Sequence, residues 1–110
     1  MTHVALQAPH AAKQFEAAPA LVQTALRRLR AELEADPLMG IFIPLRTVPR
    51  KTLQKWQARI GAIPNLHKLE LPAGWRALYT VATEKDQCAV LLVEVVDHKE
   101  YDRLFGYRTS

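Results

Sequence analysis

Three consecutive segments in the second half of the chain, "NLHKLEL" (65–71), "WRALYTVAT" (75–83) and "CAVLLVEVV" (88–96), are separated only by "PAG" and "EKDQ". Runs dense in β-branched, aromatic and other apolar residues, bounded by turn formers, read as strands. Connections of three and four residues are too short for a crossover, so the strands must form an antiparallel meander. The loop Pro72, Ala73, Gly74 pairs Leu71 with Trp75, and counting outward sets Glu70 opposite Arg76 and Lys68 opposite Leu78. Side chains alternate across a strand. Trp75, Ala77, Tyr79 and Val81 therefore share one face with Leu69 and Leu71, and Lys68, Glu70 and Arg76 share the other. In the third strand Ala89, Leu91, Val93 and Val95 form the apolar set, with Glu94 and then His98 opposite. That phase requires an odd loop after the second strand, or a bulge.

A sheet with one apolar face needs a helical layer to cover it. "PALVQTALRRLRAELEAD" (19–36) supplies one: Val22, Leu26, Leu29 and Leu33 recur at spacings of 4, 3 and 4, and Pro19 suits the first turn. Pro37 and Gly40 in "DPLMG" stop that helix. Upstream, "THVALQA" is a candidate first strand and "HAAKQFEAA" a short helical turn stopped near Pro19. Residues 41–64, with Pro44, Pro49 and Pro64, are expected to be an irregular connector with a helical turn at "KTLQKWQARI". The fold class is α+β: a small, mostly antiparallel sheet with the N-terminal helices packed on one face. At 110 residues the chain fits a single domain, 1–110.

Charge and composition narrow the function classes. No apolar run approaches the ~20 residues of a membrane helix, and the start lacks the pattern of a signal peptide, so the expected location is the cytoplasm, without a membrane partner. Cys88 is the only cysteine. An internal disulfide and a thiolate metal cluster are thereby excluded, and its apolar surroundings make it a buried thiol. The net charge of +4 is unevenly spread. Residues 1–45 hold four bases (Lys13, Arg27, Arg28, Arg30) and four acids (Glu16, Glu32, Glu34, Asp36), so the excess lies downstream. Arg46, Arg50, Lys51, Lys55 and Arg59 surround Trp56 with no acid among them. Cations beside an aromatic suit a polyanion with stackable bases; a solvated loop with Trp56 in the core is the plainer alternative.

The polar face of the sheet collects Lys68, Glu70, Arg76, Glu94 and His98, with Tyr101 and Tyr107 beyond. A carboxylate, a guanidinium and an imidazole together have the parts for cleaving a phosphodiester next to a ribose 2′-hydroxyl. A base takes the hydroxyl proton, a cation stabilises the added charge on phosphorus, and an acid protonates the leaving oxygen. The same residues admit a structural account, with Glu70 and Arg76 as a cross-strand ion pair. Asp97 and Glu100 have the spacing of a helix capping box for "HKEYDRLFG".

In this order, "ADPLMG", "NLHKLEL", "WRALYTV" and "VLLVEVVDHKEYDRLFGY" resemble the RelE/ParE superfamily of type II toxin-antitoxin toxins, from about Val4 to Tyr107. The most specific parts are the aromatic-Arg-x-x-Tyr strand at Trp75 to Tyr79 and the His-Lys-x-x-Tyr ending at His98 to Tyr101. The resemblance to RelE implies an endoribonuclease without metal or other cofactor, cleaving mRNA on the ribosome and neutralised by an antitoxin protein. It implies that Arg76 contacts phosphate and stabilises the phosphorane. Glu70 or Lys68 would be the base and His98 or Tyr107 the acid, while Arg46, Arg50, Lys51, Lys55, Trp56, Arg59, Lys99 and Tyr101 would meet RNA. "HKLEL" departs from RelE types that carry several basic residues before the arginine, since it offers only His67 and Lys68. The resemblance to ParE implies the alternative, a gyrase inhibitor or an inactive binding module of the same fold.

Overall fold

The computed structural model describes residues 2–107, with side chains from Gln7 onward. Five strands and four helices follow the order β1 (Thr2–Gln7), α1 (Pro9–Ala17), α2 (Ala20–Ala35), β2 (Ile41–Phe42), α3 (Arg50–Ile60), β3 (His67–Glu70), β4 (Arg76–Glu84), β5 (Gln87–Val96) and α4 (His98–Phe105). The sheet runs β1-β5-β4-β3-β2, antiparallel throughout except for β1, which lies parallel to β5 at one edge. The fold is α+β, and the meander has the pairing its loops dictate: Glu70 faces Arg76 and Lys68 faces Leu78.

α1 and α2 cover one face. Val22, Leu26 and Leu33 from α2 bury against Leu69, Leu71, Ala77, Tyr79 and Val81, with Cys88, Val90, Leu92 and Val95 from β5. Gln23 joins the two helices, its side-chain amide donating to the carbonyls of Phe15, Glu16 and Ala18 at 2.9, 3.0 and 3.2 Å. Those carbonyls lie at the end of α1, where the Phe15 carbonyl also accepts from the Ala18 N–H at 3.1 Å. Gly40 is required by close approach: a Cβ there would lie 2.6 Å from the Tyr79 hydroxyl and 2.9 Å from the Lys68 carbonyl.

The opposite face is covered as well. The connector expected at 41–64 contains α3, a helix of 11 residues, because Thr52 and Trp56 recur at helical spacing. α3 and α4 pack over Leu66, Leu78, Val93 and Val96, with Trp56, Tyr101, Leu104 and Phe105 at the centre. The Thr52 hydroxyl donates to the Leu104 carbonyl at 2.6 Å, fixing one helix against the other.

The facing of β5 is corrected here. The β4–β5 hairpin turns through only Lys85 and Asp86, pairing Glu84 with Gln87, so Cys88, Val90 and Leu92 face α1 and α2, not Ala89 and Leu91. The register then shifts between Leu78, opposite Glu94, and Tyr79, opposite Leu92. Val93 is the extra residue of this bulge and joins the α3/α4 side. The bulge returns Val95 and Glu94 to the faces expected for them. Trp75 is only half-buried at the rim of the α1/α2 core, since it precedes β4 in the turn.

Candidate active site

The turn Pro72, Ala73, Gly74 places Arg76 at the start of β4, and Arg76 pairs with Val96 at the end of β5. His98 opens α4 two residues later, so register alone brings the guanidinium and the imidazole side by side. Ala73 and Gly74 both have positive φ, 59° and 77°, which lets the turn fold in beneath His98; a Cβ on Gly74 would meet the His98 Cβ at 3.5 Å. α4 starts where it does because the Asp97 carboxylate accepts from the Glu100 N–H at 2.8 Å. Only this half of the capping box forms. Glu100 turns forward to Arg103 instead, whose guanidinium holds the Glu100 carboxyl below its usual range.

Arg76 Nη1 donates to His98 Nδ1 at 2.9 Å and to the Gly74 carbonyl at 3.2 Å. Its Nε lies 3.5 Å from Glu70 Oε2 but without hydrogen-bond geometry, a charge contact only. Glu70 also holds Lys68, with Nζ to Oε1 3.2 Å. Beneath the two cations lies the Tyr101 ring, 4.5 Å from the Arg76 Cζ and 5.4 Å from the Lys68 Nζ. Such stacking favours cations on a ring face. Burial pushes the Tyr101 phenol above its ordinary pKa, partly countered by the Lys68 charge. The cluster therefore holds two cations, a carboxylate and an imidazole at a strand end, where a polyanion could replace the internal partners of Arg76 and Lys68.

Four of the five residues expected to be catalytic thus come together: Lys68, Glu70, Arg76 and His98. Tyr107 stands at the edge, half-exposed, its ring 6.3 Å from Tyr101 and stacked on Phe105 at 5.9 Å. Lys99 is exposed beside His98. Asp102 was not anticipated from the sequence: it is buried, with Oδ2 3.1 Å from His98 Nε2. Its signal was the i,i+4 spacing from His98.

Three other expectations are corrected. Trp56 is fully buried and cannot stack on a base; its Nε1–H donates to Glu94 at 2.7 Å. Tyr101 is 6% exposed and supports the cluster from below rather than meeting RNA through its ring. Glu94 lies apart from the cluster, as a buried hub for Trp56, Gln14 (2.7 Å), Arg59 (3.2 Å) and His10 (3.3 Å). These donors offset the desolvation of its charge and tie α1 and α3 to β5. Arg59 is partly spent on that bond, whereas Arg46, Arg50, Lys51 and Lys55 are exposed. Among the described residues no three His, Cys, Asp or Glu side chains are grouped as a metal site requires.

With this geometry in place, comparison defines the fold. The chain is similar to a mutant form of the E. coli toxin RelE in the free state, with a TM-score of 0.61 over 96% of this chain and 93% of that one, at 18% identity. No protein-family model and no curated protein matches the sequence. The architecture is the RelE-like α+β fold, and at such low identity the likeness extends to fold alone.

Proposed function

We propose that this chain is a RelE-like toxin: an endoribonuclease whose own side chains cleave mRNA on the ribosome, silenced by a cognate antitoxin protein. One observation carries the reading. Arg76, His98, Lys68 and Glu70 converge within 2.9–3.5 Å contacts at a strand end. Arg76 would hold the scissile phosphate and stabilise its added charge. Glu70 or Lys68 would take the 2′-hydroxyl proton, and His98 or Tyr107 would give one to the leaving oxygen. Glu70 sets the two cations. The exposed Arg50, Lys51 and Lys55 on α3, with Arg46 just before it, would hold ribosomal RNA through phosphate contact.

The test is a cell-free translation reaction with primer extension on the mRNA. Wild-type protein should give discrete breaks, and Arg76→Ala breaks weaker by about 10²- to 10³-fold. Growth arrest that persists in soluble Arg76→Ala and His98→Gln variants would refute the nuclease and favour the gyrase-directed or docking alternative.

A further inference from the structure

Of the six large apolar side chains that are exposed among the described residues, four fall within five positions: Leu38, Met39, Ile41 and Phe42, the last 62% exposed. They sit in β2 and the turn leading into it, and β2 is the outermost strand on this edge of the sheet. Ile41 pairs with Lys68 and Phe42 with His67, and the Ile43 N–H donates to the Leu66 carbonyl at 2.9 Å. Residues of an antiparallel strand alternate between bonding to the neighbour and turning away from it. The N–H and C=O of Phe42 therefore point outward, away from β3, as an open edge position. Pro44, two residues on, has no N–H to leave unpaired. From Pro37 to Leu45, "PLMGIFIPL", none of nine residues is charged, in a chain whose net charge is +4.

We propose that this edge is a contact between two copies of the chain, joined about a two-fold axis at Phe42. The sequence around that residue is its own complement. A two-fold interface sets the same patch against itself. An antiparallel pairing centred on Phe42 puts Phe42 opposite Phe42 of the second copy and Ile41 opposite its Ile43, because Ile-Phe-Ile reads the same in both directions. The pairs further out, Gly40 with Pro44 and Met39 with Leu45, are uncharged as well. The outward N–H and C=O of each Phe42 then exchange both hydrogen bonds with the other, and the two five-stranded sheets become one. A charge in this stretch would meet its own sign near the axis, so an uncharged stretch suits a second copy. An acidic partner would instead be drawn to exposed cations such as those of α3. Four exposed apolar side chains per copy are few against the roughly 20–30 residues a side of a stable complex, so the dimer is weak and depends on concentration.

Analytical ultracentrifugation of the full chain tests the contact. The average mass should climb toward twice the monomer value between micromolar and millimolar protein. Added NaCl should strengthen the association, because it screens the repulsion between two chains of net charge +4 and leaves an apolar contact intact; binding to an acidic partner would weaken instead. Phe42→Glu and Phe42→Lys should each remain folded by circular dichroism, since the side chain is exposed, and each should stay monomeric, with like charges facing across the axis. Mixed in equal amounts, the two variants should associate again, with opposite charges now paired. That recovery requires Phe42 to lie opposite Phe42, and no other register predicts it. A wild-type monomer at every concentration and salt would overturn the proposal and leave the edge to a different protein. So would a dimer that persists in Phe42→Glu, or folded variants that stay apart when mixed while the wild type dimerises.

Discussion

The two faces of the sheet are built from the same strands yet differ in kind. Toward α1 and α2 the interior is apolar, with His67 as the exception between Phe42 and Tyr79 at ring distances of 5.7 and 5.1 Å. Toward α3 and α4 the chain buries Thr52, Thr80, Glu94 and Asp102, the other four of the five buried polar residues among those described. An apolar interface tolerates sliding as long as volume is conserved, whereas a buried carboxylate with several donors admits one arrangement. The α1/α2 face thus supplies adhesion and the α3/α4 face supplies geometry. It is the second that reaches the Arg76 and His98 cluster, through α4.

The sharpest break of this comparison uses the two tryptophans. Trp56→Ala removes a fully buried ring and a donor to Glu94, and should cost about 3–5 kcal/mol of stability. Trp75→Ala, at the half-exposed rim of the other face, should cost clearly less. Denaturant midpoints decide, and a larger loss at Trp75 would invert the roles of the faces.

Next in size is the separation of chemistry from stability. Arg76→Ala should lower mRNA cleavage by about 10²- to 10³-fold, the usual worth of one preorganised donor to a developing oxyanion, with little change in midpoint. A parallel fall of both would make Arg76 a structural residue. A smaller effect comes from α3: replacing Arg50, Lys51 and Lys55 with Gln should weaken RNA binding and flatten the logarithmic salt dependence by roughly 0.7 to 0.9 for each phosphate no longer neutralised. An unchanged slope would leave these residues as a solvated helix face.

The mildest test concerns the exception on the apolar face. His67 is buried with Nδ1 unpartnered, and burial lowers its pKa. As pH falls below the ordinary histidine value the unfolded chain takes up a proton that the folded chain resists, so stability is present above that value and declines toward acid. The unfolding midpoint should drift down between about pH 7 and pH 5, and His67→Phe should reduce the drift. No difference between the two proteins would remove His67 from the acid sensitivity.

Much of this was legible because it is local. The three-residue turn fixed Glu70 against Arg76, the stripe of α2 fixed its buried side, and Asp97 fixed the start of α4; each depends on residues within a few positions of one another. α3 was under-read because its prolines mark the connector around it, and its two buried positions, Thr52 and Trp56, make too short an apolar stripe for periodicity to show. What sequence determined by itself is the three meander strands, the buried stripe of α2, the β3–β4 register and four polar members of the site, Lys68, Glu70, Arg76 and His98. Only tertiary structure decided that Trp56 points inward, that Glu94 becomes a buried hub and that Asp102 meets His98. Those outcomes depend on which helix lands over which strand, and on a bulge at Leu78 and Tyr79 that changes the facing of β5 midway. A one-residue shift in a strand exchanges inside for outside, and no local pattern records where a distant helix will require it.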